Sequence, residues 1–148
     1  MELPVRMKAT ILWSALAAGA VGIPGAFGAH ADVPVLLGIW TTLLIRLASQ
    51  AGESMSKATA AKVAAGVLVG IGGFQAGVKL ATTYFAYTGV GTIPAIIVNA
   101  GANASLTYIF GRAAGKVFLS NSLQDSAAEV IRAIVFFITG NAPADGDT

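Results

Sequence analysis

From Leu80 to Gly111 the chain runs thirty-two residues without a charged side chain, bracketed by Lys79 and Arg112. A single straight helix of that length would extend about 48 Å, well past the ~30 Å hydrocarbon core of a bilayer. Gly89, Gly91 and Pro94 stand in its middle. Proline lacks the N–H that a helix interior needs, and its ring clashes with the preceding turn. The segment therefore predicts two apolar helices folding back on each other, within or against a membrane, with the turn between Thr88 and Pro94.

Composition points to the same solvent. Charged residues make up 11% of the 148 and mean hydropathy is +0.75, against about a quarter charged in an ordinary soluble domain. Length allows one domain, expected over residues 1–140, with 141–148 a disordered tail. The net charge of +2 comes from scattered Lys and Arg, so no basic patch suggests a nucleic-acid partner. With no cysteine, disulfides, thiol chemistry and sulfur-ligated zinc are excluded. Eighteen glycines and five prolines, without a collagen-like period, suit closely packed membrane helices.

The first helix is read over Ala9–Ile23, ended by Pro24-Gly25. Arg6 and Lys8 before a charge-free run, with Ala-Phe-Gly-Ala-His after it, also match the plan of a cleaved signal peptide; the similar helices downstream favour a retained helix. Asp32-Val33-Pro34 is a helix start, an N-cap side chain followed by a proline in the first turn. This second helix is expected over Val33–Ala51, stopped by Gly52, with Arg46, Gln50 and Glu53 on one narrow polar edge. A third helix is expected over Lys57–Thr88. In it Gly66, Gly70, Gly73 and Gly77 share one face. Glycine costs about 1 kcal/mol relative to alanine inside a helix, so a stripe of four implies close backbone approach to a neighbour. A nucleotide-binding loop fits poorly: the stretch has no Gly-Lys-Ser/Thr ending, no dinucleotide fingerprint spacing and no preceding strand.

The fourth helix is expected over Ile93–Phe118, ending in Gly111 and Gly115 as further packing positions. Asn99, Asn103 and Thr107 recur every four residues and form one polar stripe. Such side chains either bridge neighbouring helices or line a path for an ion or solute. Asn103-Ala-Ser105 is formally a glycosylation sequon, here a chance match inside an apolar helix. The last helix has a different character. Ser122-Leu-Gln-Asp125 resembles a capping box. Leu123, Ala127, Val130, Ile131, Ile134 and Ile138 then make an apolar face opposite Gln124, Asp125, Glu129 and Arg132. That pattern is an amphipathic helix on the bundle or in the membrane interface, and its polar side is a candidate partner face. Gly140 closes it.

Nothing in the chain assembles a reaction centre. His30, the single histidine, lies in a Gly/Pro loop beside Asp32, and neither a metal site nor a triad can be built from two neighbours. The seven carboxylates avoid the long apolar runs. No catalytic residue, metal ligand or cofactor is therefore expected, and the chain reads as non-enzymatic. Arg46 and Lys79, each within an apolar helix, imply snorkelling, pairing with Glu53 or Asp125, or a shallow or re-entrant hairpin.

The fold expected is all-α: a glycine-rich, membrane-associated bundle of about five helices, two apolar hairpins plus a C-terminal amphipathic helix. Arg6 and Lys8 place the N-terminus in the cytoplasm by the positive-inside tendency, and two hairpins would bring Arg112 and Lys116 back to that side.

The order of features resembles a known bacterial family. A Pro-Gly loop leads to Ala-Asp-Val-Pro (31–34), an apolar helix ends in Arg-Leu-Ala-Ser-Gln-Ala-Gly (46–52), and a glycine-rich helix follows. Thr-Gly-Val-Gly-Thr-Ile-Pro (88–94) and Leu-Thr-Tyr-Ile-Phe-Gly-Arg-Ala-Ala-Gly-Lys-Val-Phe (106–118) complete the series. This succession, over about residues 10–140, resembles the YcjF-like domain of unknown function and, in pattern, the EcsC-like family. The resemblance implies membrane association, in the bacterial inner membrane, and work beside a Ras- or Era-like GTPase domain. This chain carries no such domain, so that partner would be a separate chain. The family offers no catalytic residues to carry over. Two functions follow as expectations: an anchor or effector module for a GTPase or stress-response partner, or an oligomeric pore or transporter subunit with Asn99, Asn103 and Thr107 around its path. Membrane lipid and self-association are the other expected partners.

Overall fold

The computed structural model describes residues 1–25, 33–72, 92–120 and 126–140. Five α-helices make up the described chain: α1 (Val5–Gly25), α2 (Val33–Gln50), α3 (Lys57–Gly70), α4 (Thr92–Leu119) and α5 (Ala127–Thr139). No strand occurs among the described residues, and the fold class is all-α. The Thr88–Pro94 turn falls largely on residues 73–91, outside the described residues, as do Lys79, His30, Asp32, Gln124, Asp125 and the 141–148 tail.

Helix boundaries follow local chemistry. α1 starts four residues before the expected Ala9, with the Lys8 amide bonded to the Pro4 carbonyl at 3.0 Å. Arg6, Met7 and Lys8 are good helix formers, and a proline just ahead of the first turn loses no hydrogen bond. α2 runs nearly as expected, and the chain leaves it through Gly52 at φ +83°, a left-handed conformation that strongly favours glycine. Pro94 falls in the first turn of α4 and is tolerated there.

Two further expected boundaries are corrected. The helix expected to run unbroken over Lys57–Thr88 ends at Gly70, where Ile71 departs from helical geometry (φ −106°, ψ 8°) and its amide turns back to the Val67 carbonyl. Gly70, Gly72 and Gly73 surround this point, and three weak helix formers leave little to hold the helix together. The capping box of the last helix lies not at Ser122 but at Ser126: its N–H donates to Glu129 Oε2 at 2.9 Å, while its hydroxyl accepts from the Glu129 amide. Glu at the third helical position is the preferred partner for such a box. Gly140, at φ +70°, ends the helix.

Side-chain contacts set the packing. Leu3 meets Gly115, Ile11 meets Gly111, and Gly19 meets Ala104, so α1 lies antiparallel along α4. Gln50 Nε2 donates to Thr10 Oγ1 at 2.9 Å, which sets α2 antiparallel to α1 and parallel to α4. α3 turns back from α2 and packs on α2 and α5, while α5 also rests on α4. The core lies between these layers. Met7, Ile11, Ala15 and Ala18 of α1 face Leu36, Trp40, Leu43 and Leu47 of α2 and Phe110, Ala114 and Phe118 of α4, all buried.

Candidate functional site

The polar stripe of α4 faces inward. Asn99, Asn103 and Thr107 are 0%, 1% and 0% exposed. Trp40 Nε1–H donates to Thr107 Oγ1 at 2.8 Å, and the Trp40 ring stacks on Phe110 with centroids 4.1 Å apart and planes 8° from parallel. A buried indole N–H needs an acceptor, and a threonine one turn before Phe110 supplies it. Trp40 was not among the residues singled out by sequence. Its position in a charge-free helix run was a usable signal, since a buried indole N–H there needs an acceptor from another helix.

The glycines act as contact points. A Cβ on Gly66 would collide with Ile131, and one on Gly70 would sit 2.9 Å from Val135 Cγ2, both on α5. On Gly111 it would come within 2.9 Å of Ile11 and 3.2 Å of Leu43, and on Gly115 within 3.0 Å of Leu3. Gly73 and Gly77 lie outside the described residues. By contrast, Gly38 and Gly101 have open space where a Cβ would stand.

Of the expected partner face on the last helix, Glu129 and Arg132 fall among the described residues. Glu129 is exposed, and its carboxylate closes the capping box at the helix start. Arg132 is exposed and has interactions of its own. Gln124 and Asp125 are outside the described residues. Val130, Ile134 and Val135 pack inward, whereas Phe136 and Phe137 are 49% and 51% exposed.

Charge is segregated along α1, α2 and α4. Because α1 runs antiparallel to the other two, Arg6 and Lys8 at its start lie at the same end as Arg46 of α2 and Arg112 and Lys116 of α4. The rest of these helices carries no charge: residues 9–25, 33–45 and 92–111. Those stretches correspond to about 25, 20 and 30 Å at 1.5 Å per residue. Leu12, Trp13, Leu16, Val35 and Ile97 are more than half exposed on this uncharged part. α2 is long and apolar enough to cross a membrane, with mean hydropathy 1.4 over its 18 residues.

Exposed aromatic rings stand near the border between the charged and uncharged zones, two of them beside a cation. Trp13 and Arg46 line one groove of about 430 Å³ between α1 and α2. The Arg112 guanidinium lies 5.8 Å from the Tyr108 ring centre, and Lys116 Nζ lies 5.8 Å from that of Phe137. Tyr108 and Arg112 also wall a cleft of about 530 Å³ against the start of α1. Among the described residues no three or more His, Asp or Glu side chains converge as metal ligands. Comparison of the chain with known protein families, characterised proteins and solved structures returns no match.

Proposed function

We propose that this protein is a non-enzymatic, membrane-associated helical module whose uncharged end enters lipid while its cationic end stays at the headgroup level. One observation carries the reading: the gathering of Arg6, Lys8, Arg46, Arg112 and Lys116 at one end of three long helices. Exposed Trp13 and Tyr108 stand at the border, and exposed aliphatic side chains lie beyond them. Cations and aromatic rings belong at a membrane interface, and aliphatic surface belongs below it. The sequence resemblance to YcjF-like and EcsC-like domains extends the proposal to a role: an anchor or effector in the bacterial inner membrane, N-terminus inside, for a GTPase or stress-response partner. A pore would need Asn99, Asn103 and Thr107 to face a path; all three are buried within the chain, and Thr107 accepts from Trp40, which favours a bridging role instead.

Fractionation tests the membrane reading. The protein should sediment with membranes, resist carbonate and high salt, and come off with detergent. Recovery as a monodisperse monomer without detergent would overturn it. For the role, a partner retained in a nucleotide-dependent pull-down, from protein that passes no ions across liposomes, supports the anchor; flux abolished by Asn103→Leu would reverse the choice.

A further inference from the structure

We propose that the cleft between the start of α1 and the last third of α4 binds the phosphate headgroup of an anionic phospholipid. The inference rests on the membrane reading above and gives it a specific ligand chemistry. The cleft encloses about 530 Å³, within the range of small-molecule sites. Lys8 stands on its α1 side and Arg112 on its α4 side.

Both cations are available to an anion. Lys8 Nζ reaches Glu2 Oε1 at 3.4 Å, with side chains 53% and 93% exposed. An exposed pair of this kind is held by at most about 1 kcal/mol and exchanges readily. Arg112 has no carboxylate partner among the described residues. Its guanidinium is placed by the Tyr108 ring, and its planar fork matches two phosphate oxygens.

The remaining wall says why the ligand is an amphiphile. Val5 and Leu12 line the same cleft and are 79% and 51% exposed. Free phosphate has no use for that surface. Leu12 lies one turn beyond Lys8 in the direction of the uncharged end of α1, where an acyl chain leaving a bound headgroup would run. Glu2 is the one acidic group in the cleft, and it opposes the ligand.

The test uses the full chain in a neutral detergent. Thermal midpoints are measured with added phosphatidylglycerol, phosphatidylcholine or soluble glycerol 1-phosphate. Phosphatidylglycerol alone should raise the midpoint. Lys8→Gln with Arg112→Gln should weaken its apparent affinity about tenfold or more, and Glu2→Gln, a change at an exposed residue, should strengthen it. Lys57→Gln with Lys62→Gln removes the same charge from α3 and should leave the effect in place. Equal losses in the two double variants, or an equal response to phosphatidylcholine, would reduce the effect to general charge or lipid and sink the site. An equal response to glycerol 1-phosphate would make it a phosphate site with no lipid preference, also against the proposal. Absence of a phosphatidylglycerol response in protein that fractionates with membranes rejects this site while leaving the membrane reading intact.

Discussion

Trp40 and Thr107 meet across the α2–α4 interface through a 2.8 Å hydrogen bond between two fully buried side chains. Thr107→Val keeps the shape but leaves the indole N–H unpaired in the core, at a cost of about 1–3 kcal/mol. Thr107→Ser retains the acceptor and should lose less. Thermal or denaturant unfolding of the two variants decides the matter; equal midpoints would mean that the bond is not needed.

The glycine contacts divide into two groups with opposite expectations. Gly111→Leu and Gly70→Leu force side chains into Ile11, Leu43 and Val135 and should destabilise by about 1–3 kcal/mol or more. Gly101→Ala meets nothing within 4 Å and should stabilise α4 by up to about 1 kcal/mol, through helix propensity. A destabilised Gly101→Ala would show that this face is covered in the working protein.

Glu129→Ala should cost about 0.5–2 kcal/mol by removing the capping box of α5. Glu129→Gln can still close the box and should cost little. This pair matters for function too. Loss of a partner on Glu129→Ala would confuse cap and contact, so the partner face is properly tested with Glu129→Gln and Arg132→Gln together. Retention of every partner by that folded variant would remove α5 from the interface.

The two tryptophans report on the lipid boundary separately. Trp13 is 71% exposed and Trp40 fully buried. In liposomes containing brominated lipid, Trp13 fluorescence should be quenched and that of Trp40, isolated by Trp13→Phe, should not. Unquenched Trp13 in reconstituted protein would place the α1–α2 groove away from lipid.

Much of the architecture was legible along the chain because it depends on neighbours a few residues apart. Uncharged runs, the Asp32-Val33-Pro34 start, Gly52 after α2 and Gly140 after α5 are local statements about hydrogen bonds and permitted φ. They determined an all-α chain and most of its helix ends. The errors were local competitions as well. Several glycines around Ile71 ended a helix that apolar composition alone would have continued, and Ser126 with Glu129 made a better cap than Ser122 with Asp125.

What only the tertiary structure decided depends on which helix lies beside which, and periodicity within a helix carries no information about its neighbour. The spacing of Asn99, Asn103 and Thr107 showed a stripe but not its direction. Trp40, sixty-seven residues before Thr107, turns the end of that stripe into a buried contact. Gly66 and Gly70 were recognisable as points of close approach, while Ile131 and Val135 as the side chains that approach them were not. The antiparallel course of α1 along α4 likewise gathers cations from distant parts of the chain at one end. That gathering, on which the membrane reading and the headgroup cleft both rest, exists only once the helices have packed.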